Sequence, residues 1–196
     1  MNPFGALPTL ISTDRLCNLI RYSEMVKDLE GDIAEFGVFQ GGSLEILAKF
    51  NSHKTVWGFD SFEGLPKSCE KDTYHKKGDF SEVEYEALYG YFKTLYRNVE
   101  LVKGFFFYTF PKMHPYKKYS LVHIDCDLYE SVKCALDYFY PRMVDGGVII
   151  SDDIGWDSVA GGEQALMEFV DTINPTFKGE LFYYTGKSNK QYIIVK

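Results

Sequence analysis

The chain has no hydrophobic run approaching the roughly 20 residues needed to cross a bilayer, and no leader-like apolar start, so a cytoplasmic protein without a transmembrane segment is expected. Cysteine is scarce. Cys17, Cys69, Cys126 and Cys134 form no CxxC pair and no zinc-ligand spacing, which points to reduced, inert thiols. Basic stripes are missing too: 21 Lys and Arg stand against 28 Asp and Glu, a net charge of -7. That balance excludes nucleic acid as an expected partner and disfavours an anionic membrane surface. There is no internal repeat and no low-complexity tract. The GxGxxG turn of dinucleotide sites is also absent, which weighs against a nicotinamide-dependent oxidoreductase.

What remains is an ordinary globular composition, 45% hydrophobic and 25% charged over 196 residues, suited to one α/β domain with a small appendage. The 16 Phe and 15 Tyr are expected mostly in a thick core. Residues 1–30 read as an N-terminal arm followed by a helix from Thr13, with Thr13 as its N-cap, to about Leu29. Residues 31–196 read as the main domain.

There the pattern alternates between strand and helix. Strands are expected at 32–38, 55–60, 99–102, 119–125 and 147–152, the last entered through an Asp145-Gly146-Gly147 turn. Helices are expected at 43–50, 82–96, 130–140 and 160–173, with a short turn at 105–110. Two further strands, 180–184 and 191–195, flank Gly186-Lys187-Ser188-Asn189, a hairpin signal. This predicts a Rossmann-like, doubly wound, mostly parallel seven-stranded sheet with a C-terminal antiparallel hairpin. Ligands of such sheets bind beyond the carboxyl ends of the strands.

The residues at those ends carry the chemistry. The first strand runs into Gly37, Gly41 and Gly42, which let a ligand approach the backbone. Glu35 beside them suits a cationic ligand, such as the sulfonium and ammonium of S-adenosylmethionine, better than a pyrophosphate. The second strand ends in Asp60, 19 residues after Gly41, placed to accept ribose hydroxyls. The third ends at Gly104 and the run Phe105, Phe106 and Phe107, one of which is a candidate wall for an adenine ring.

The fourth strand ends in Asp125-Cys126-Asp127 and the fifth in Asp152-Asp153. Four carboxylates at neighbouring tips repel unless a cation or shared proton intervenes. Asp125, Asp152 and Asp153 form the expected ligand set for Mg2+, with Mn2+ or Ca2+ as alternatives. If the chain stays extended, Asp127 projects on the side of Asp125 and is placed as general base for a metal-bound hydroxyl. His123 is the second choice of base, although a histidine inside an apolar strand usually packs in the core.

These residues resemble a known family. The stretch Glu35 to Ser43, the block Phe59-Asp60-Ser61-Phe62-Glu63-Gly64-Leu65-Pro66, Gly78-Asp79-Phe80, Val102-Lys103-Gly104, Ile124-Asp125-Cys126-Asp127-Leu128-Tyr129-Glu130-Ser131 and Gly146 to Asp153 look like the macrocin O-methyltransferase family, which includes the mycinamicin- and noviose-type sugar O-methyltransferases. The resemblance covers roughly residues 30 to 175. It implies a class I methyltransferase fold, S-adenosylmethionine as donor and magnesium as activator. It also implies Glu35, Gly37 and Ser43 along the methionine part of the cofactor, and Asp60 and Ser61 at its ribose. Gly41, Gly42, Gly104, Phe106 and Asp125 complete the expected cofactor contacts. Asp125, Asp152 and Asp153 match the metal ligands and Asp127 the base. Catechol O-methyltransferases carry a Lys near the position of Leu128, so the sugar-type base is favoured. The acceptor is then a small molecule or saccharide, and a homo-oligomer is compatible. The sugar enzymes carry a longer N-terminal region over the acceptor site. Here the cover is expected from residues 66–80, from 154–162 or from another subunit. A non-catalytic S-adenosylmethionine-binding protein is the alternative reading.

Overall fold

A computed structural model describes residues 2–113, 115–173, 180–185 and 190–196, with the side chains of 180–185 left aside. Its helices are α1 (Thr13–Met25), α2 (Gly42–Phe50), α3 (Tyr85–Leu95), α4 (Phe106–Thr109), α5 (Tyr129–Phe139) and α6 (Ala160–Ile173). Its strands are β1 (Asp32–Phe36), β2 (Val56–Asp60), β3 (Val99–Lys103), β4 (Tyr119–Ile124), β5 (Met143–Ser151), β6 (Glu180–Thr185) and β7 (Lys190–Val195). They form one sheet in the order β3-β2-β1-β4-β5-β7-β6. β3, β2, β1, β4 and β5 are parallel neighbours. β7 runs antiparallel to both β5 and β6, so the C-terminal hairpin enters the sheet by its second strand. The expected turn at Gly186–Asn189 lies outside the described residues.

β4 sits at the centre, and all six of its residues are buried. A strand covered on both faces cannot show polar alternation, which is why Leu121, Val122 and Ile124 follow one another so closely. Helices pack on both faces. On one side α5 buries Val132, Ala135, Leu136 and Phe139, a helical stripe, against Phe36, Val122, Ile124 and Ile149. On the other side Leu16 and Leu19 of α1, with Val26 just past its end, join Leu44 and Leu47 of α2 and Ile33, Leu121 and Ile150 of the sheet. The N-terminal helix is therefore part of the same body as the sheet. Truncating a fully buried side chain such as Leu136 to Ala would cost about 2–5 kcal/mol.

Two local expectations change. α1 stops at Met25, not Leu29. The Asp145-Gly146-Gly147 segment is not a turn before β5 but lies within it, where the pairing jumps from Tyr119↔Met143 to Leu121↔Val148. Gly146, at φ +77°, absorbs that irregularity as a bulge residue. Among the described residues no helix is long and apolar enough to cross a membrane.

Candidate functional site

A cleft of about 430 Å³ opens over the carboxyl ends of β1, β2, β4 and β5. The site residues expected from sequence divide into two groups. Gly37, Gly42, Ser43, Asp60, Ser61, Phe106, Asp125, Asp127, Asp152 and Asp153 line it. Glu35, Gly41 and Gly104 do not. Gly41 faces Leu88, Leu7 and Phe92 beneath the start of α2, and the Gly104 amide donates to the Asp60 carbonyl at 2.9 Å.

The turn after β1 is dictated by contact. Gly37 has φ +92°, and a Cβ there would sit 1.7 Å from the Asp125 carbonyl oxygen; only glycine fits. Asp60 then braces this turn. Its Oδ2 accepts the amides of Val38 at 2.8 Å and Phe39 at 2.9 Å, and its Oδ1 accepts that of Phe62 at 2.7 Å. Phe39 and Phe62 have φ of +48° and +52°, unfavourable values for side chains of this size. One carboxylate thus holds two strained loops. Ser61 donates to Gly64 O at 2.7 Å and closes the second loop. Phe106 packs with its ring on Phe36.

The acidic end is asymmetric. Asp152 and Asp153 follow the end of β5, where the Ile154 amide donates to Asp152 O at 2.9 Å in a tight turn, and their side chains take different partners. The ring nitrogens of His123 lie 2.8 Å from Glu35 Oε1 and 2.8 Å from Asp152 Oδ2, all fully buried. Arg15 Nη1 stands 3.4 Å from Asp152 Oδ1. Asp153 Oδ2 instead accepts the Cys126 amide at 3.0 Å. Consequently the ligand atoms that converge within 4.8 Å are those of His123, Asp125 and Asp152, a different trio from the expected one. His123 is a poor ligand in that arrangement, because a carboxylate occupies each of its nitrogens. Burial lowers its pKa, but hydrogen bonds and charge from Asp152 and Glu35 outweigh this and raise it well above the usual histidine value. It is packed inside the protein, as its place in an apolar strand led one to expect, and bridges Glu35 and Asp152.

The other groups divide the charge accordingly. Burial works against ionised Asp152, yet the His123 contact and Arg15 prevail and hold its pKa below the usual carboxylate value. Burial raises Glu35. Burial, then the Asp152 charge, pushes Asp125 up to about 6. Burial, with Asp127 and Asp125 adding to it, raises Asp153 well above an ordinary carboxylate. Asp152 Oδ1 and Asp153 Oδ1 are buried without a hydrogen-bond partner. Unpartnered carboxylate oxygens crowded at two strand tips are hard donors that fit a divalent cation.

Asp127 departs from the extended geometry read from sequence. It has φ +61°, and the Leu128 amide donates to Cys126 O at 2.7 Å across it. This tight turn costs on the order of 1–3 kcal/mol, and the side chain still lines the cleft with Asp125. Burial, then Asp125, Asp79, Asp60 and Asp72, pushes its pKa up to about 8. His75, which the sequence reading did not single out, stands 3.6 Å from Asp127 Oδ1 and 3.4 Å from Asp79 Oδ2.

The cover of the cleft also differs. Pro8, Leu10 and Ile11 of the short N-terminal stretch line it, together with Pro66, Phe80, Trp156 and Val159. That stretch is docked on α2: the Leu7 amide donates to Glu45 Oε2 at 2.8 Å and Asn2 Nδ2 to Gly42 O at 3.2 Å. Residues before the first strand therefore contribute to the cover alongside the two segments expected from sequence.

Comparison with known proteins agrees with this arrangement. The chain is 31% identical over 167 residues to the 8-demethyl-8-(2,3-dimethoxy-alpha-L-rhamnosyl)-tetracenomycin-C 4'-O-methyltransferase of Streptomyces olivaceus, covering 76% of this chain and 64% of that one. It is 31% identical over 162 residues to the demethyldecarbamoylnovobiocin O-methyltransferase of Streptomyces niveus, covering 74% and 62%. The match thus spans under two thirds of these relatives. Among solved structures it superposes on the O-methyltransferase NovP with a TM-score of 0.78 at 26% identity, covering 96% of this chain and 81% of that one. The family model described as macrocin-O-methyltransferase (TylF) matches residues 3–174, and so takes in the N-terminal stretch that covers the cleft. With the family model matching most of its length and the fold in agreement, the chain belongs to the macrocin-O-methyltransferase (TylF) family.

Proposed function

We propose that this chain transfers a methyl group from S-adenosylmethionine to a hydroxyl of a sugar or glycosylated acceptor, with a divalent cation, magnesium first, held by Asp125, Asp152 and Asp153. One observation carries the reading. A single cleft is lined both by a glycine turn with Asp60 and Ser61 and by Asp125, Asp127, Asp152 and Asp153. The names of the tetracenomycin and novobiocin relatives supply the acceptor class, the former being named for a rhamnosyl compound.

When bound, S-adenosylmethionine supplies the electrophilic methyl group and the cation supplies charge that acidifies the acceptor hydroxyl. The chain's own residues do the rest. Gly42 and Ser43 flank the methionine part, Asp60 Oδ1 keeps a lone pair for a ribose hydroxyl, and Phe106 lies along the adenine. Asp127 accepts the acceptor's proton as the new methyl–oxygen bond forms and the methyl–sulfur bond breaks. Burial and the neighbouring acids raise Asp127 above an ordinary carboxylate, which strengthens it as a base when it is ionised. Holding both reactants in line contributes most of the acceleration.

Calorimetry with S-adenosylhomocysteine and NAD, followed by a methyl-transfer assay on a panel of rhamnosides and other glycosides with Mg2+ or EDTA, tests this. S-adenosylhomocysteine should bind, NAD should not, and transfer should need the cation. Failure to bind S-adenosylhomocysteine overturns the reading; binding without transfer to any acceptor converts it to a cofactor-binding protein.

A further inference from the structure

Arg15 is the one basic side chain among the described residues lining the cleft, which five carboxylates also line: Asp60, Asp125, Asp127, Asp152 and Asp153. It comes from the first turns of α1, and its side chain is 12% exposed. Its contacts leave much of the guanidinium free. Nε donates to Ser12 Oγ at 3.4 Å, and Nη1 stands 3.4 Å from Asp152 Oδ1. That oxygen has no hydrogen-bond partner, so the pair is not a closed, bidentate salt bridge of the kind that would use up the guanidinium fork.

An acidic cleft of this kind poses a problem for an amino-acid ligand. The ammonium and sulfonium of S-adenosylmethionine are favoured everywhere in it, but the α-carboxylate is repelled and, once desolvated, needs a cationic or hydrogen-bonded partner. The Gly37 and Ser43 wall, along which the methionine part is proposed to lie, belongs to the same cleft as Arg15. We infer that Arg15 binds the α-carboxylate of the methionine moiety and so orients the methyl donor, with Asp152 holding the guanidinium in place. This rests on the reading of the cleft as an S-adenosylmethionine site. It adds a function to α1, which lies outside the sheet's strand-end motifs.

The test first compares S-adenosylhomocysteine, which carries the amino-acid carboxylate, with 5'-methylthioadenosine, which keeps the nucleoside and lacks the whole amino-acid end, carboxylate and ammonium alike. With the full chain, Arg15→Gln should weaken S-adenosylhomocysteine about tenfold or more, the size of a lost charge-assisted hydrogen bond. It should leave 5'-methylthioadenosine within about twofold, and Arg15→Lys should recover part of the loss. Equal weakening of both ligands, or of neither, overturns the assignment. Should Arg15→Gln fail to fold, wild-type chain with decarboxylated S-adenosylhomocysteine decides: binding as tight as the parent compound overturns it, and binding tenfold weaker supports it. If the wild-type chain binds neither nucleoside, the reading of the cleft as a methyl-donor site is what fails.

Discussion

His123 Nε2 lies 2.8 Å from Asp152 Oδ2, with both side chains fully buried, and the opposite ring nitrogen is 2.8 Å from Glu35. β1 and β4 place Glu35 and His123 in register, so the imidazole reaches from the strand of the glycine turn to the strand tip of the acidic end. A buried cation between two carboxylates stabilises only as a complete set, because removing one member leaves charge without a partner. Replacing His123 by Leu should therefore cost about 3–5 kcal/mol, read as a lowered urea midpoint with an unchanged m-value. A loss under about 1 kcal/mol would mean that the three groups are not ionised together.

Asp127 gives the sharpest test of the chemistry. Asn is the substitution of choice, because it tolerates the left-handed backbone that Asp127 adopts. Asp127→Asn should keep S-adenosylhomocysteine affinity within about twofold while lowering kcat by about 10²–10⁴-fold, the range of general-base contributions. A kcat within threefold of wild type would remove Asp127 from the role.

The order of strands and the identity of the strand-tip residues were legible in the sequence because both follow from local signals. Asp60, Asp125 and Asp152 each close an apolar run at a tip. The backbone at Asp127 was not legible: nothing local shows that a chain leaving β4 turns left-handed there, although its carboxylate lines the same cleft as that of Asp125. His123 was read as a packed residue and is one, but its partners were not legible: Glu35 on β1 and Asp152 just past β5 lie 88 and 29 residues away. A weak signal existed, since Glu35 and His123 both stand two residues before their strands' exit residues, Gly37 and Asp125. Asp60 was read as a ligand contact, whereas its three backbone bonds depend on loops whose positive φ values no single residue announces.

Gly37→Ala tests the crossing of the first turn over β4. The added Cβ would lie 1.7 Å from a backbone oxygen, at φ +92°, and backbone cannot rotate away as a side chain can. Destabilisation on the order of 4 kcal/mol or more is expected, seen as insoluble chain or a lowered thermal midpoint. Near-wild-type stability would show that the turn is not packed on Asp125.

Trp156 is 43% exposed although it lines the cleft with Asp152 and Asp153, so its indole offers an apolar face beside the acids. A sugar's C–H face would cover it. With any glycoside that proves to be a substrate, Trp156→Ala should raise acceptor KM about tenfold and leave S-adenosylhomocysteine affinity unchanged. An unaltered KM would place the acceptor elsewhere in the cleft.

The crowded acids make stability depend on pH in a direction opposite to most proteins. Asp125 and Asp127 are pushed up to about 6 and about 8, and burial also raises Glu35 and Asp153. Each has a folded pKa above its unfolded one, so between about pH 4 and 8 the folded chain binds more protons than the unfolded chain, and stability falls as pH rises. His123, also raised, has the same sign: its contribution is present below about pH 6.5 and fades as pH passes its folded value. Asp152, lowered, has the opposite sign and acts only below about pH 4. Without divalent ions the urea midpoint should therefore drop between pH 5 and pH 8. Millimolar Mg2+ should flatten that drop, because a cation that binds only the folded, deprotonated cluster stabilises it more as pH rises. EDTA should restore the slope. A midpoint that rises over this range without Mg2+, or one on which Mg2+ has no effect at pH 8, would show that the carboxylates at the tips of β4 and β5 are not held close enough to require a cation.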